Sequence, residues 1–183
     1  MNTKRSCGVL LPLFSLPSEH GIGTLGKAAY DFIDFLAAAG QSWWQLLPVG
    51  PAGSGDSPYN SFSSFAGNAY CIDLDMLVQD GLLTKAEVSA VDWGNDEQSV
   101  AYEKLRAHRM LLLRKAARRG LGKDAAEFDS FCRDNASWLS DYALYMALKE
   151  HFGGASWTEW PEDIRLHRAE AVEKYRSELA SDV

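Results

Sequence analysis

Trp43-Trp44-Gln45-Leu46-Leu47-Pro48-Val49, followed at once by Gly50-Pro51, is the stretch on which the fold turns. Large apolar side chains run along it without alternation, which suits a strand covered on both faces, as in a parallel sheet. Pro48, Gly50 and Pro51 then end it, and a long loop begins. From Gly53 to Asn60 this loop holds two glycines, three serines or asparagines, Asp56, Pro58 and Tyr59, a mixture that neither a helix nor a central strand can continue. Loops this long are uncommon unless they have a job. Tyr59, Phe62, Phe65 and Tyr70 offer flat apolar faces of the kind that sugar rings pack against, and Ser57, Asn60, Ser61 and Asn68 add hydrogen-bonding groups. A loop tucked under its own aromatic residues is the plain structural alternative.

Upstream, Gly8 to Leu11 predicts a first interior strand, and Pro12 to Gly23 a loop. Thr24 is a good N-cap for a helix from Leu25 to Ala39, with Leu25, Ala29, Phe32, Ile33 and Leu36 on one face and Gly40 as the stop. Strand, helix and strand then form a right-handed parallel unit, with Trp43 to Leu47 beside the first strand. Gly21-Ile22-Gly23-Thr24-Leu25-Gly26 satisfies the G-x-G-x-x-G pattern of dinucleotide sites, and a nucleotide-binding protein is therefore one reading to weigh. Against it, Pro12 to His20 separate the glycines from their strand, and no acid ends the second strand to hold a ribose hydroxyl. Glycines that turn the chain and let the helix pack closely are the simpler reading.

Downstream of Asp75 the pattern becomes helical. Thr84 and Glu87 form a capping box, a long helix is predicted over about Asp96 to Arg119 with Gly120 ending it, and two more over Ala125 to Asn135 and Trp138 to Phe152. Gly153 and Gly154 stop the last of these, and a charged helix runs from Ile164 to Leu179. Between Lys104 and Lys123 stand eight Lys or Arg and no acid. A nucleic-acid face is outweighed by cations gathering toward a helix C-terminus, with Leu105, Leu111, Leu112, Leu113 and Ala116 as ordinary core. Phe128, Phe131, Trp138, Leu139, Tyr142, Tyr145, Met146 and Leu148 are expected in the core, and Trp157 and Trp160 are read as pinning the turn before Pro161.

The 183 residues suffice for one domain with a substantial core, and a formal net charge of -7 argues against general affinity for nucleic acid or anionic membrane. Residues 1 to 83 carry three basic and seven acidic side chains, so most of the charge lies in the helical part. Cys7, Cys71 and Cys132 lack Cys-x-x-Cys spacing, which predicts reduced, buried thiols instead of a disulfide framework or a zinc site. His20, His108, His151 and His167 are neither clustered nor spaced for a metal or a triad, and no cofactor is expected. Lys4 and Arg5 before an apolar run mimic a signal peptide, but Pro12 and Pro17 interrupt it and no cleavage site follows, so a cytoplasmic protein without membrane contact is expected.

Trp44-Gln45-Leu46-Leu47-Pro48, Asp56-Ser57-Pro58-Tyr59, Ser61, Ser64-Phe65-Ala66-Gly67-Asn68 and Ile72-Asp73-Leu74 together resemble the 4-α-glucanotransferases, also called amylomaltases or disproportionating enzymes, glycoside hydrolase family 77. Leu11-Pro12, Ser15-Leu16-Pro17, Gly21-Ile22-Gly23, Trp138-Leu139, Asp141-Tyr142-Ala143-Leu144 and Trp157-Thr158-Glu159-Trp160-Pro161 agree in order and spacing. Asn60 and Ala69 depart from the Gln and Pro that relatives often have there. The likeness covers nearly the whole chain but only the opening third or so of a family member. It implies an α/β fold: the first strands of a (β/α)8 TIM-type barrel, incomplete, with residues 1–75 as two barrel units plus substrate loop and 76–183 as a mainly helical insertion.

The implied chemistry is retaining transglycosylation on α-1,4-glucans (maltooligosaccharides, starch or glycogen), which needs two carboxyl groups about 5 Å apart. In the family these acids stand on later barrel strands, at the C-terminal ends where such barrels keep their chemistry. By motif match Tyr59 packs against the donor sugar, with Ser57 as a hydrogen-bonding neighbour and Asp56 beside them. Asp31 and Asp34 lie on the first helix, Asp73 and Asp75 cap or turn the chain, and Asp56 alone faces a substrate. One acid is insufficient, so no catalytic residue is assigned and the chain alone is expected to be inactive. A non-catalytic glucan-binding fragment is the alternative. The oligomeric state is not legible.

Overall fold

The computed structural model describes residues 5–53, 55–94, 96 and 99–183. Lys4 before the leader-like apolar run, Ser54 of the loop, and Glu97 and Gln98 at the start of the expected long helix lie outside them. By packing, the chain forms two compact units, Met1–Ala125 and Ala126–Val183, whereas the sequence pattern changes after residue 75.

In the first unit, strand β1 (Gly8–Leu10) leads through a 3-10 turn (Leu13–Ser15) to helix α1 (Lys27–Ala38) and strand β2 (Trp43–Gln45). The strands pair in parallel, Gly8 with Trp43, Val9 with Trp44 and Leu10 with Gln45, as expected. The expected Trp43 to Val49 strand is shorter than its apolar run. After the Leu11 N–H has donated to the Gln45 carbonyl at 3.1 Å, Pro12 has no N–H to offer and turns the chain away. Leu46 onward is left without a ladder partner on that side.

The expectation that these strands are buried on both faces is corrected. Leu10 is 57% exposed and Trp43 67%, because the sheet has two strands among the described residues and its apolar side chains are only partly covered. Trp44 is the exception. Its indole N–H donates to the Leu11 carbonyl at 2.8 Å, and its ring meets Phe32 of α1 edge-on at 5.0 Å.

Helix α1 starts two residues later than predicted, with Gly26 in place of Thr24 as N-cap. Thr24 is buried and its hydroxyl donates to Asp73 Oδ2 at 2.5 Å, while the Leu25 N–H donates to the Cys71 carbonyl at 2.9 Å. Those cross-links hold the backbone that would have formed the first turn. Ala29 and Leu36 of the predicted face are buried, whereas Leu25 and Ile33 are exposed.

Helices α2 (Leu74–Gln79), α3 (Lys85–Ser89) and α4 (Tyr102–Gly120) complete the unit. Leu74, Leu83, Val88, Leu105, Leu112 and Ala116 pack with Ile22 and Trp93 in one core; Leu111, expected there, is exposed because it lies on the opposite side of α4. Arg109 is buried in its place on the apolar stripe.

The Thr84 and Glu87 capping box forms, and Glu87 also takes the Arg119 and Lys115 cations at 2.8 and 2.6 Å. Arg119, then Lys115 and the Thr84 N–H, hold the Glu87 carboxyl far below the usual carboxylate range. A depressed acid stabilises the fold above its unfolded value of about 4.5 and loses that contribution as pH falls. Thr84→Ala is expected to cost about 1 kcal/mol in urea melts at neutral pH. Glu87→Gln is expected to flatten the loss of stability as pH falls from about 5 to about 2; equal slopes in wild type and variant would count against this.

In the second unit, α6 (Leu139–His151, after α5, Ala125–Asp134) packs with α7 (Glu162–Arg165) and α8 (Ala169–Glu178) around Leu144, Leu148, Trp160, Ile164 and Tyr175. The single helix expected over Ile164 to Leu179 is broken at His167, whose φ is 53°. Trp160 pins its turn as expected, donating to the Ala155 carbonyl at 3.3 Å, but Trp157 is exposed. Phe128 and Phe131, expected in the core, are half exposed on α5, which buries none of its described side chains. Among the described residues, no helix is long and apolar enough to cross a membrane.

Candidate functional site

The loop after β2 is closed on itself by backbone bonds. Ala52 and Ser61 form an isolated antiparallel bridge, the Gly53 N–H donates to the Asn60 carbonyl at 2.7 Å, and the Asn60 N–H donates to the Ser57 carbonyl at 3.0 Å. Farther along, Ser61 Oγ donates to the Ser63 carbonyl at 2.8 Å, and Ser63 Oγ accepts from the N–H groups of Phe65 and Ala66 at 3.2 and 3.1 Å. The Asn68 N–H returns to the Val49 carbonyl at 2.8 Å, and the Asn68 side chain accepts from the Tyr70 N–H at 2.9 Å, capping the turn Ala69–Cys71. Small hydroxyl and amide residues are needed here because each replaces a strand or helix partner that the loop lacks.

This scaffold frames an open cleft of about 510 Å³ whose lining includes Pro48, Val49, Gly50, Tyr59, Ser61 and Phe65. Tyr59 is 73% exposed and Phe65 71%, so two aromatic faces are presented to solvent beside serine hydroxyls. No charged side chain lines the cleft among the described residues. Such a surface suits a neutral, hydroxyl-bearing ligand with apolar faces, and among the described residues its lining offers no carboxylate.

Of the three residues singled out from sequence, the structure puts Tyr59 on the cleft wall and leaves Asp56 and Ser57 off its lining. Ser57 Oγ accepts from the Tyr59 N–H at 3.4 Å, a local turn contact. Asp56, at a left-handed φ of 55°, takes Nη1 of Arg106 on both carboxylate oxygens, at 2.8 and 2.7 Å. That contact raises the Arg106 pKa further. Burial raises the nearby Tyr70 and Tyr102 phenols, with Asp56 adding to it and, at Tyr70, Arg106 opposing it.

Two cations of the run read as gathering toward a helix C-terminus, Arg106 and Arg109, thus bind segments distant in the chain. Arg109 is fully buried; its guanidinium donates to the carbonyls of His20 at 3.2 Å and Ile72 at 2.7 Å and lies 5.8 Å from the Trp93 ring centre, while Nε has no partner. Burial pushes its pKa down to about 10, with Asp73 opposing, so it remains a cation at neutral pH. The signal was present: Arg109 stands four after Leu105 and four before Leu113, on the apolar stripe itself. Lys104 meets Asp92 at 2.6 Å and, with the Glu87 pairs, leaves much of the eight-residue basic run engaged with acids or carbonyls.

The G-x-G-x-x-G glycines are explained by packing. Gly21 turns the chain at φ 79°, Gly23 lies against the Leu13 and Leu16 backbone, and Gly26 against the Asp73 carboxylate. Asp73 also caps α2 by accepting from the Met76 N–H at 2.9 Å. A phosphate approaching the start of α1 would meet that carboxylate. Cys71 is buried, with its thiol pushed up to about 11; Cys7, expected buried, is exposed because it precedes β1 at the uncovered sheet. Among the described residues no group of His, Cys, Asp and Glu is gathered to hold a metal.

By fold the chain is a helix-rich α/β protein begun by a parallel strand–helix–strand unit, and by site it carries a loop-borne cleft of aromatic and hydroxyl groups. The family model for 4-alpha-glucanotransferase, glycoside hydrolase family 77, matches residues 11–183, and the chain belongs to that family. A 4-alpha-glucanotransferase of Streptococcus pneumoniae is 49% identical over 179 residues, covering 97% of this chain and 35% of the relative. One from Thermus thermophilus is 43% identical over 187 residues, covering 100% and 36%. The solved amylomaltase from Streptococcus agalactiae in complex with acarbose superposes with a TM-score of 0.93 at 38% identity, over 98% of this chain and 37% of that one. The chain therefore spans about a third of the length of the relatives it matches.

Proposed function

We propose that this chain forms one wall of the sugar site of a 4-α-glucanotransferase acting on α-1,4-glucans by retaining transglycosylation, and that the 183 residues alone carry out no transfer. The observation that carries the reading is the cleft itself, with Tyr59 and Phe65 facing solvent beside serines and no carboxylate on its lining among the described residues. A retaining enzyme needs a nucleophilic carboxylate and a second one as acid and base, about 5 Å apart, and the cleft offers neither. The acarbose complex of the amylomaltase relative supports a sugar-like occupant.

In this reading β1 and β2 are the first two strands of a (β/α)8 barrel, and residues 76–183 are a mainly helical insertion. The exposure of Leu10, Trp43 and Leu46 supports it, since a closed barrel covers such side chains with neighbouring strands and helices. Two strands cannot close a barrel. Incubation of the purified chain with maltotriose is expected to release no glucose; measurable release would overturn the inactivity.

Binding without catalysis is favoured by the same uncharged lining, and calorimetric titration with maltoheptaose separates the outcomes. The chain is expected to bind, and Tyr59→Ala to weaken binding at least about tenfold by removing the largest aromatic face of the wall. Equal affinity in the two proteins would remove Tyr59 from the site.

A further inference from the structure

Arg106 reaches the loop from outside the cleft. It stands one turn into α4, and its Nη1 spans both oxygens of Asp56, fifty positions earlier in the chain. Asp56 occupies a left-handed conformation, which aspartate tolerates better than most residues and which fixes the direction in which its carboxylate leaves the loop. Its own N–H donates weakly to the Gly53 carbonyl at 3.3 Å, so the carboxylate contact is the shorter hold. Tyr59 follows three residues on, inside the ring closed by the Ala52 and Ser61 bridge and the Gly53 to Asn60 bond. Asp56 and Tyr59 thus lie within one segment closed by backbone bonds.

We propose that Arg106 is a positioning residue: through Asp56 it locks the loop to α4 and presets the Tyr59 wall, so that affinity for a neutral glucan depends on an ion pair the glucan never touches. The inference rests on the glucan reading of the cleft. The Arg106 side chain is 51% exposed and that of Asp56 23%, so dissolved salt can screen the pair. A neutral sugar has no charge to screen. Salt dependence of its binding therefore reports on the clamp and not on the ligand.

The test uses the whole chain with Arg106→Ala, Arg106→Lys, Asp56→Asn and the Arg106→Ala/Asp56→Asn double variant; asparagine keeps the size and left-handed tolerance of Asp56 and removes its charge. At low salt, amide exchange over residues 55–62 is expected to quicken about tenfold in Arg106→Ala and in Asp56→Asn, and no further in the double variant. Arg106→Lys is expected to restore most of the protection, and about 1 M salt to bring the wild type toward the variants. Maltoheptaose affinity is expected to fall about threefold to tenfold in the same pattern. Unchanged loop exchange in Arg106→Ala, or additive effects in the double variant, would sink the clamp. Absence of maltoheptaose binding by the wild type would sink the glucan reading instead, with the exchange arm still deciding the clamp.

Discussion

Gly23→Ala is expected to destabilise the chain by about 3 kcal/mol, read as a lowered urea midpoint with an unchanged slope. A β-carbon at Gly23 would stand 2.2 Å from the Leu13 carbonyl oxygen and 2.9 Å from both the amide nitrogen and the oxygen of Leu16. All three are backbone atoms, so no side chain can swing aside. Nor can the backbone yield cheaply, because Leu13 and Leu16 are buried with Ala29 and Cys71 in the small core beneath α1, and the Gly23 N–H donates to the Phe14 carbonyl at 3.2 Å. Gly122→Ala is the control: nothing lies within 4 Å of the added carbon, and a change of no more than a few tenths of a kcal/mol is expected. Comparable losses at both positions would show that the close approach at Gly23 is not what matters.

Arg109→Ala has the other large expected effect, also about 3 kcal/mol. Truncation removes a buried stem from the stripe of Leu105, Leu112 and Ala116 and leaves the His20 and Ile72 carbonyls without the guanidinium that now donates to them. Arg109→Met separates the two losses, because it keeps apolar volume and ends the cost of holding a desolvated cation with an unpartnered Nε. It is expected to recover about half of the loss. A fully stable Arg109→Ala would mean that both carbonyls find other donors. Since Ile72 adjoins the Asp73 cap of α2 and His20 precedes the Gly21 turn, the arginine ties both loops to α4, and amide exchange near 20–23 and 71–74 is expected to quicken in the alanine variant.

These two residues mark the limit of reading by pattern. The motif match at Asp56-Ser57-Pro58-Tyr59 located the loop and its exposed tyrosine, because composition alone tells where a chain can neither coil nor pair. The same match treated Asp56 as a sugar contact, and its engagement by a cation fifty residues away was invisible to it. Spacing likewise found the Thr84 capping box, a local device spanning four residues. Thr24 failed as an N-cap for the converse reason: a distant acid, Asp73, captured its hydroxyl.

The sequence by itself determined the parallel pairing of β1 with β2, the first helix between them, the loop that bears the cleft and the family, but not the short helix α2 or the break between α7 and α8. The helix, the loop and the family follow from near neighbours or from motifs read in order, and the pairing follows from the right-handed strand–helix–strand rule. Only the tertiary structure decided which charges are tied down, which of the glycines are squeezed against backbone, and which apolar strand residues remain exposed. Those outcomes depend on contacts between segments tens of residues apart, where burial and distance set the strength of an ion pair or a clash and residue type alone sets neither.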